Sequence, residues 1–124
     1  MSRMRYTVPY RRNSESWQVA GANGGIVNTT DVAIQAANAT KSHYLCALQL
    51  ANVNATVSTE VVVKDGSTVI WRGWVPALIA ATAQPPMVNI TFPVPLKGTA
   101  NTALNIAAVT TSAGVVWSAQ GYTE

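Results

Sequence analysis

The stretch EVVVKDGSTVIWRGWV, residues 60–75, sets two β-branched runs on either side of Asp65-Gly66. An Asp-Gly between such runs is a strong hairpin signal, because glycine takes a positive φ at no steric cost. Two registers are available. A two-residue loop at Asp65-Gly66 pairs Val63 with Thr68 and places Val69 and Trp71 on the face of Glu60 and Lys64. A three-residue loop, Lys64-Asp65-Gly66, places Val61, Val63, Val69 and Trp71 on one face and Glu60, Val62, Thr68, Ile70 and Arg72 on the other. A slip of one residue moves every side chain across the sheet, so the cleaner sorting selects the three-residue loop. Trp71 is then expected in the core and Arg72 outside, diagonal to Glu60. Gly73 is expected to break the pleat as a bulge and turn Trp74 outward. Arg72 and Trp74 are therefore a candidate contact site, tryptophan and arginine being enriched at interface hot spots.

Beyond the hairpin the chain continues in short strands. Residues 17–20 (WQVA) run into the turn GANGG. IVNTTDVAIQA alternates at Val32, Ile34 and Ala36, and SHYLCALQLANV places Tyr44, Cys46, Leu48 and Leu50 on one face. MVNITFPV, TALNIAAVTT and GVVWSAQGY complete the series. Turn signals recur about every 8 to 12 residues, the spacing of a sandwich or barrel. Only VPALIAATAQPP offers a short helical turn. The expected fold is all-β, a two-sheet antiparallel sandwich of jelly-roll type with seven or eight strands. Pro93 and Pro95 point to an edge strand or a bend, since proline cannot donate to a central ladder.

A chain of 124 residues is one domain, with room for a core that needs no disulfide or metal. Only 10% of it is charged, against about a quarter in ordinary soluble domains. So few charges leave a broad neutral surface, and copies of the same chain or a larger assembly are the simplest cover for it. The single cysteine, Cys46, excludes an internal disulfide framework. No run approaches the roughly 18 apolar residues of a membrane helix. The opening MSRMRYTVPYRR carries charge but no apolar secretory core, so synthesis and assembly are expected in a cytoplasm. The N-x-[ST] triplets at Asn28, Asn38, Asn54 and Asn89 follow from a composition rich in Asn and Thr.

The net charge of +3 is uneven, because Arg3, Arg5, Arg11 and Arg12 are half of the 8 basic residues. With Tyr6, Pro9, Tyr10 and a polar run at 13–16, they read as an extended arm over residues 1–16, ahead of a sandwich domain over 17–124. Arg3, Arg5, Tyr6, Tyr10, Arg11 and Arg12 are candidate partner-binding residues. They suit a neighbouring protein, and they would also neutralise phosphates, with an affinity that falls as salt rises.

Catalysis needs proton-exchanging or nucleophilic groups, and the supply is thin: one His, one Cys and five acidic residues. His43 and Cys46, three apart on a strand, point to opposite faces and cannot form a metal site or a nucleophile–base pair between them. His43 reads as a boundary residue and Cys46 as a buried core thiol. GANGG lacks the Lys-Ser/Thr and helix of a phosphate loop. Trp17, Trp71 and Trp117 lie in apolar alternation and read as core or subunit interface. No enzymatic function, cofactor or metal is expected.

Three stretches, WQVAGANGGIVNTTDVAIQAA, TEVVVKDGSTVIWRGWVP and NITFPVPLKGTANTALNIAAVTTSAGVVWSAQGY, resemble small virion proteins of tailed bacteriophages, the trimeric β-sandwich decoration or cement proteins of the capsid. The resemblance covers most of residues 17–122. It implies a jelly-roll homotrimer on the capsid surface, made in the host cytoplasm, that binds major capsid subunits and reinforces the shell. Two other readings stand beside it. One is a receptor- or carbohydrate-binding module using Trp74 and Arg72, and the other a coat protein whose arm binds nucleic acid.

Overall fold

The computed structural model describes residues 14–21, 26–78 and 87–124. These form strands β1 (Glu15–Ala20), β2 (Ile26–Val27), β3 (Val32–Gln35), β4 (His43–Asn52), β5 (Thr59–Asp65), β6 (Thr68–Val75), β7 (Met87–Lys97), β8 (Leu104–Ala108) and β9 (Val115–Thr123), with no helix among the described residues. Their pairing is nested. β5 pairs with β6, β4 with β7, β3 with β8 and β1 with β9, all antiparallel, so the chain runs as one long hairpin doubled back at Gly66. The cross-pairings β4–β9 and β5–β8 join these arms into two sheets. The first has the order β1-β9-β4-β7, with β2 also beside β9, and the second β3-β8-β5-β6. The protein is an all-β antiparallel sandwich, and the nesting is compatible with a jelly roll.

The core lies between the sheets. Leu45, Leu48, Leu50, Val115, Trp117 and Ala119 come from the first, and Ile34, Val61, Val63, Val75, Leu104 and Ile106 from the second. Each large aliphatic side chain in this layer contributes about 1.5–3 kcal/mol by burial. Trp71 of β6 meets Phe92 of β7 edge-on, ring centroids 6.1 Å apart, and so links the two sheets at one side.

The hairpin confirms the expected faces of Val61, Val63, Trp71, Glu60, Val62 and Arg72, but corrects the loop and the placing of Val69 and of Ile70, which packs against the core. Val63 lies opposite Trp71, Val61 opposite Gly73 and Val62 opposite Arg72, so Trp71 turns inward and Arg72 outward. The loop, however, is the pair Gly66-Ser67, with Asp65 opposite Thr68 and Gly66 at φ +63° in its first position. The register then shifts at Ile70, which restores Trp71 to the inner face but leaves Val69 opposite Lys64, not on the core side. Contacts distant in sequence hold this register. Asp65 accepts from the Thr99 N–H at 3.0 Å and the Thr99 hydroxyl at 2.6 Å, and Gly66 N–H donates to the Ala103 carbonyl at 2.9 Å.

Gly73 is not a bulge. It pairs regularly with Val61, and a Cβ there would overlap the indole of Trp71, so the glycine is the bed on which that ring lies. Trp74 faces out by plain alternation.

β4 also departs from simple alternation. Its register shifts between Leu45 and Ala47, with Cys46 as the extra residue. Leu45, Leu48 and Leu50 therefore share the core face, Tyr44 turns outward, and Cys46 is half-buried, not a core thiol. β7 pairs only with β4 and loses register between Thr91 and Leu96, the span that holds Pro93 and Pro95, as expected of an edge strand with a bend. The first sheet also takes in Glu15 and Ser16, opposite Thr123 and Tyr122. Residues 22–25 of GANGG and 79–86 of the expected helical turn lie outside the described residues.

Candidate interaction surfaces

The chemistry-bearing residues are scattered. His43, expected at a boundary, is 3% exposed with both ring nitrogens engaged. The carbonyl of Ala36 can only accept, so His43 Nε2–H donates to it at 2.7 Å, and Nδ1 accepts from the Thr123 hydroxyl at 2.7 Å. Thr123 Oγ1 in turn accepts from Trp17 Nε1–H at 3.1 Å. This closed chain uses the histidine to tie β1, β9 and the segment after β3 together, and leaves no lone pair for a metal. Among the described residues no three of His, Cys, Asp and Glu gather in a metal-holding group. Burial pushes the Cys46 thiol above its ordinary value, so it stays protonated and weakly nucleophilic near neutral pH.

What the molecule presents instead is two unlike outer faces. On the second sheet Arg72 Nη1 pairs with Glu60 Oε1 at 2.8 Å, and Lys64 Nζ with Asp31 Oδ1 at 2.9 Å. Beside the first pair Trp74, opposite Glu60, is 62% exposed. Trp74 and Arg72, the candidate contact residues, lie together on one surface. The arm residues Arg3, Arg5, Tyr6, Tyr10, Arg11 and Arg12 lie outside the described residues.

The outer face of the first sheet escaped the sequence reading. Its central strands present Tyr44, Ala47, Gln49 and Ala51 from β4 and Val116, Ser118, Gln120 and Tyr122 from β9. Ser16, Gln18 and Ala20 of β1 flank them on one side, and Met87, Asn89 and Thr91 of β7 on the other. Gln49 and Gln120 exchange amide hydrogen bonds at 3.0 and 2.9 Å, and the Ser118 hydroxyl donates to Gln49 Oε1 at 3.0 Å. Tyr44 and Tyr122 stack with centroids 4.6 Å apart, and Lys97 Nζ lies 5.7 Å from the Tyr44 ring centre. One signal for this face is in the sequence. Leu45 and Leu48 are three apart, a spacing that two core residues of one strand can share only across a bulge, and the bulge turns Tyr44 to the outer side that Gln49 already occupies by alternation.

Fold and surfaces together define an all-β sandwich that offers one charged face with an exposed indole and one neutral face of amides, hydroxyls and small side chains. Comparisons with protein families, with curated proteins and with solved structures find no match for this chain. No helix among the described residues is long and apolar enough to cross a membrane.

Proposed function

We propose that this chain is a structural virion protein, a capsid decoration or cement protein that binds major capsid subunits as a homotrimer on the outside of the shell and stabilises it. The observation that carries the reading is Trp74, a large apolar ring held 62% exposed on a paired strand beside the Arg72–Glu60 ion pair. Leaving an indole in water has no folding benefit, and Trp flanked by Arg is the composition of an interface anchor. The resemblance to phage decoration proteins supplies the kind of partner, and the expected basic arm a second attachment.

The test is to purify virions from cells in which the chain is made during infection, then identify it by mass spectrometry and locate it by image reconstruction. The proposal expects it on the capsid surface in a fixed ratio to the major capsid protein. Its absence from purified particles rejects the proposal. The same exposed indole also suits stacking on a sugar ring, the carbohydrate-module reading. Saturable binding on a glycan array that is lost in Trp74→Ala would favour that alternative.

A further inference from the structure

We infer that copies of this chain associate with one another through the outer face of the first sheet. The inference rests on the reading of the chain as an oligomeric structural protein and assigns the surface that joins its copies. Charge is divided unequally between the two sheets. The second carries Glu60, Lys64 and Arg72 on its outer face, with Asp31 against Lys64, all in ion pairs. Among the described residues, the outward strand positions of the first carry no Asp, Glu or Arg, and a single Lys, Lys97, at one corner over Tyr44. Charged side chains are the usual means of keeping a sheet surface in water and apart from its copies, and this face omits them.

The groups present identify the occupant. An amide or hydroxyl both donates and accepts, so a face built from Gln49, Gln120, Ser118 and the tyrosines meets its own kind without opposing like charges. A partner with charges on its binding surface would lose their hydration here and find no counter-charge in return. The Gln49–Gln120 pair holds both amides in place before association, which lowers the ordering cost. Ala20, Ala51 and Ser118 keep the surface low beside Met87, which is 65% exposed, and leave a depression of about 260 Å³ between them. Methionine is the side chain best able to adapt to such a hollow on an opposing copy. The extent is adequate. Four strands about 4.8 Å apart, over the 9 residues of β9, make a platform of roughly 19 by 30 Å. That is about 570 Å² per copy, short of the roughly 800 Å² per partner of a standard interface but above the roughly 500 Å² per partner that a specific one needs.

The experiment is light scattering on the purified full chain at micromolar concentration, with no shell present. Wild type is expected as a stable oligomer. Ala47→Lys places one charge at the centre of the face and removes no hydrogen bond, and its mass is expected to fall to that of a single chain with an unchanged β-sheet spectrum. Gln18→Lys, on the exposed edge strand β1, weakens association in the same direction if Ala47→Lys does not fold. Thr68→Lys, at the tip of the second sheet, leaves the oligomer intact. A monomeric wild type overturns the inference, as do Lys variants of the face that fold and still associate like wild type. A monomer that is nonetheless found on virions would end this inference and the homotrimer with it, and leave the attachment to the capsid standing. An oligomer absent from virions would do the reverse.

Discussion

Trp71 and Arg72 are chain neighbours with opposite surroundings, and the difference is measurable. Trp71 lies on Gly73, faces Val63 and meets Phe92 of the other sheet. Trp71→Ala is expected to cost about 3 to 5 kcal/mol in urea unfolding, through the cavity it opens. The Arg72 side chain is 59% exposed and pairs with Glu60 at the surface, so Arg72→Ala should stay within about 0.5 kcal/mol of the parent. Equal losses at the two positions would contradict the face assignment. Cys46 allows a pH test. Its thiol is raised by desolvation, so at any pH the folded protein holds less thiolate than an exposed cysteine does. Iodoacetamide should therefore modify the native chain more slowly than the urea-unfolded chain, and the native rate should rise with pH along a curve displaced upward. A native curve coincident with the unfolded one would place the thiol in water.

At the scale of elements, the hairpin depends on its first loop residue. Gly66 sits at φ +63°, and a Cβ there would stand 3.0 Å from Thr102 Cγ2. Gly66→Ala should cost about 1 to 2 kcal/mol for the left-handed backbone, read as a lower midpoint of chemical unfolding; a neutral effect would mean that another turn is used. The hairpin and its faces were legible in residues 60–75, because alternation and the glycine are local signals. The loop length was not. Asp65 is held by Thr99, 34 positions away, and Gly66 by Ala103, and such partners cannot be counted along the chain. Ile70 is the extra residue, so two errors in register leave Trp71 and Arg72 on their expected faces, while Val69 changes sides and Ile70, expected outward, packs against the core. On β4 the same kind of irregularity misleads in the other direction. Reading from Tyr44 in steps of two passes through Cys46 as if it were core, whereas the shift between Leu45 and Ala47 sends Tyr44 outward to stack on Tyr122. Alternation already put Ala47, Gln49 and Ala51 outside, and the bulge concealed only that Tyr44 joins them. Trp74 faces outward by simple alternation and not through a bulge, since Gly73 pairs regularly and serves as the bed for Trp71.

The described residues form a doubled-back hairpin rolled into two sheets, and the two ion pairs Arg72–Glu60 and Lys64–Asp31 both lie on the outer side of the second. Among the described residues the indole of Trp74 is exposed beside the first of those pairs, and the outer strand positions of the first sheet hold one charge, Lys97. Under the proposed function Trp74 with Arg72 meets the capsid, and the inferred association of copies uses the other face, which divides assembly from attachment. This division makes Trp74 the residue at which folding and function separate. Trp74→Ala should fold within about 0.5 kcal/mol of the parent, since an exposed side chain away from the core contributes little to stability. The most direct measurement is co-sedimentation of purified chain with purified capsid shells from a virus that carries it, wild type against Trp74→Ala. Wild type is expected to saturate the shells at a fixed number of copies, with Trp74→Ala binding about thirty-fold more weakly, the loss of a hot spot of roughly 2 kcal/mol. Wild type that stays in the supernatant at micromolar concentration, or a Trp74→Ala protein that binds as wild type does, would contradict the account.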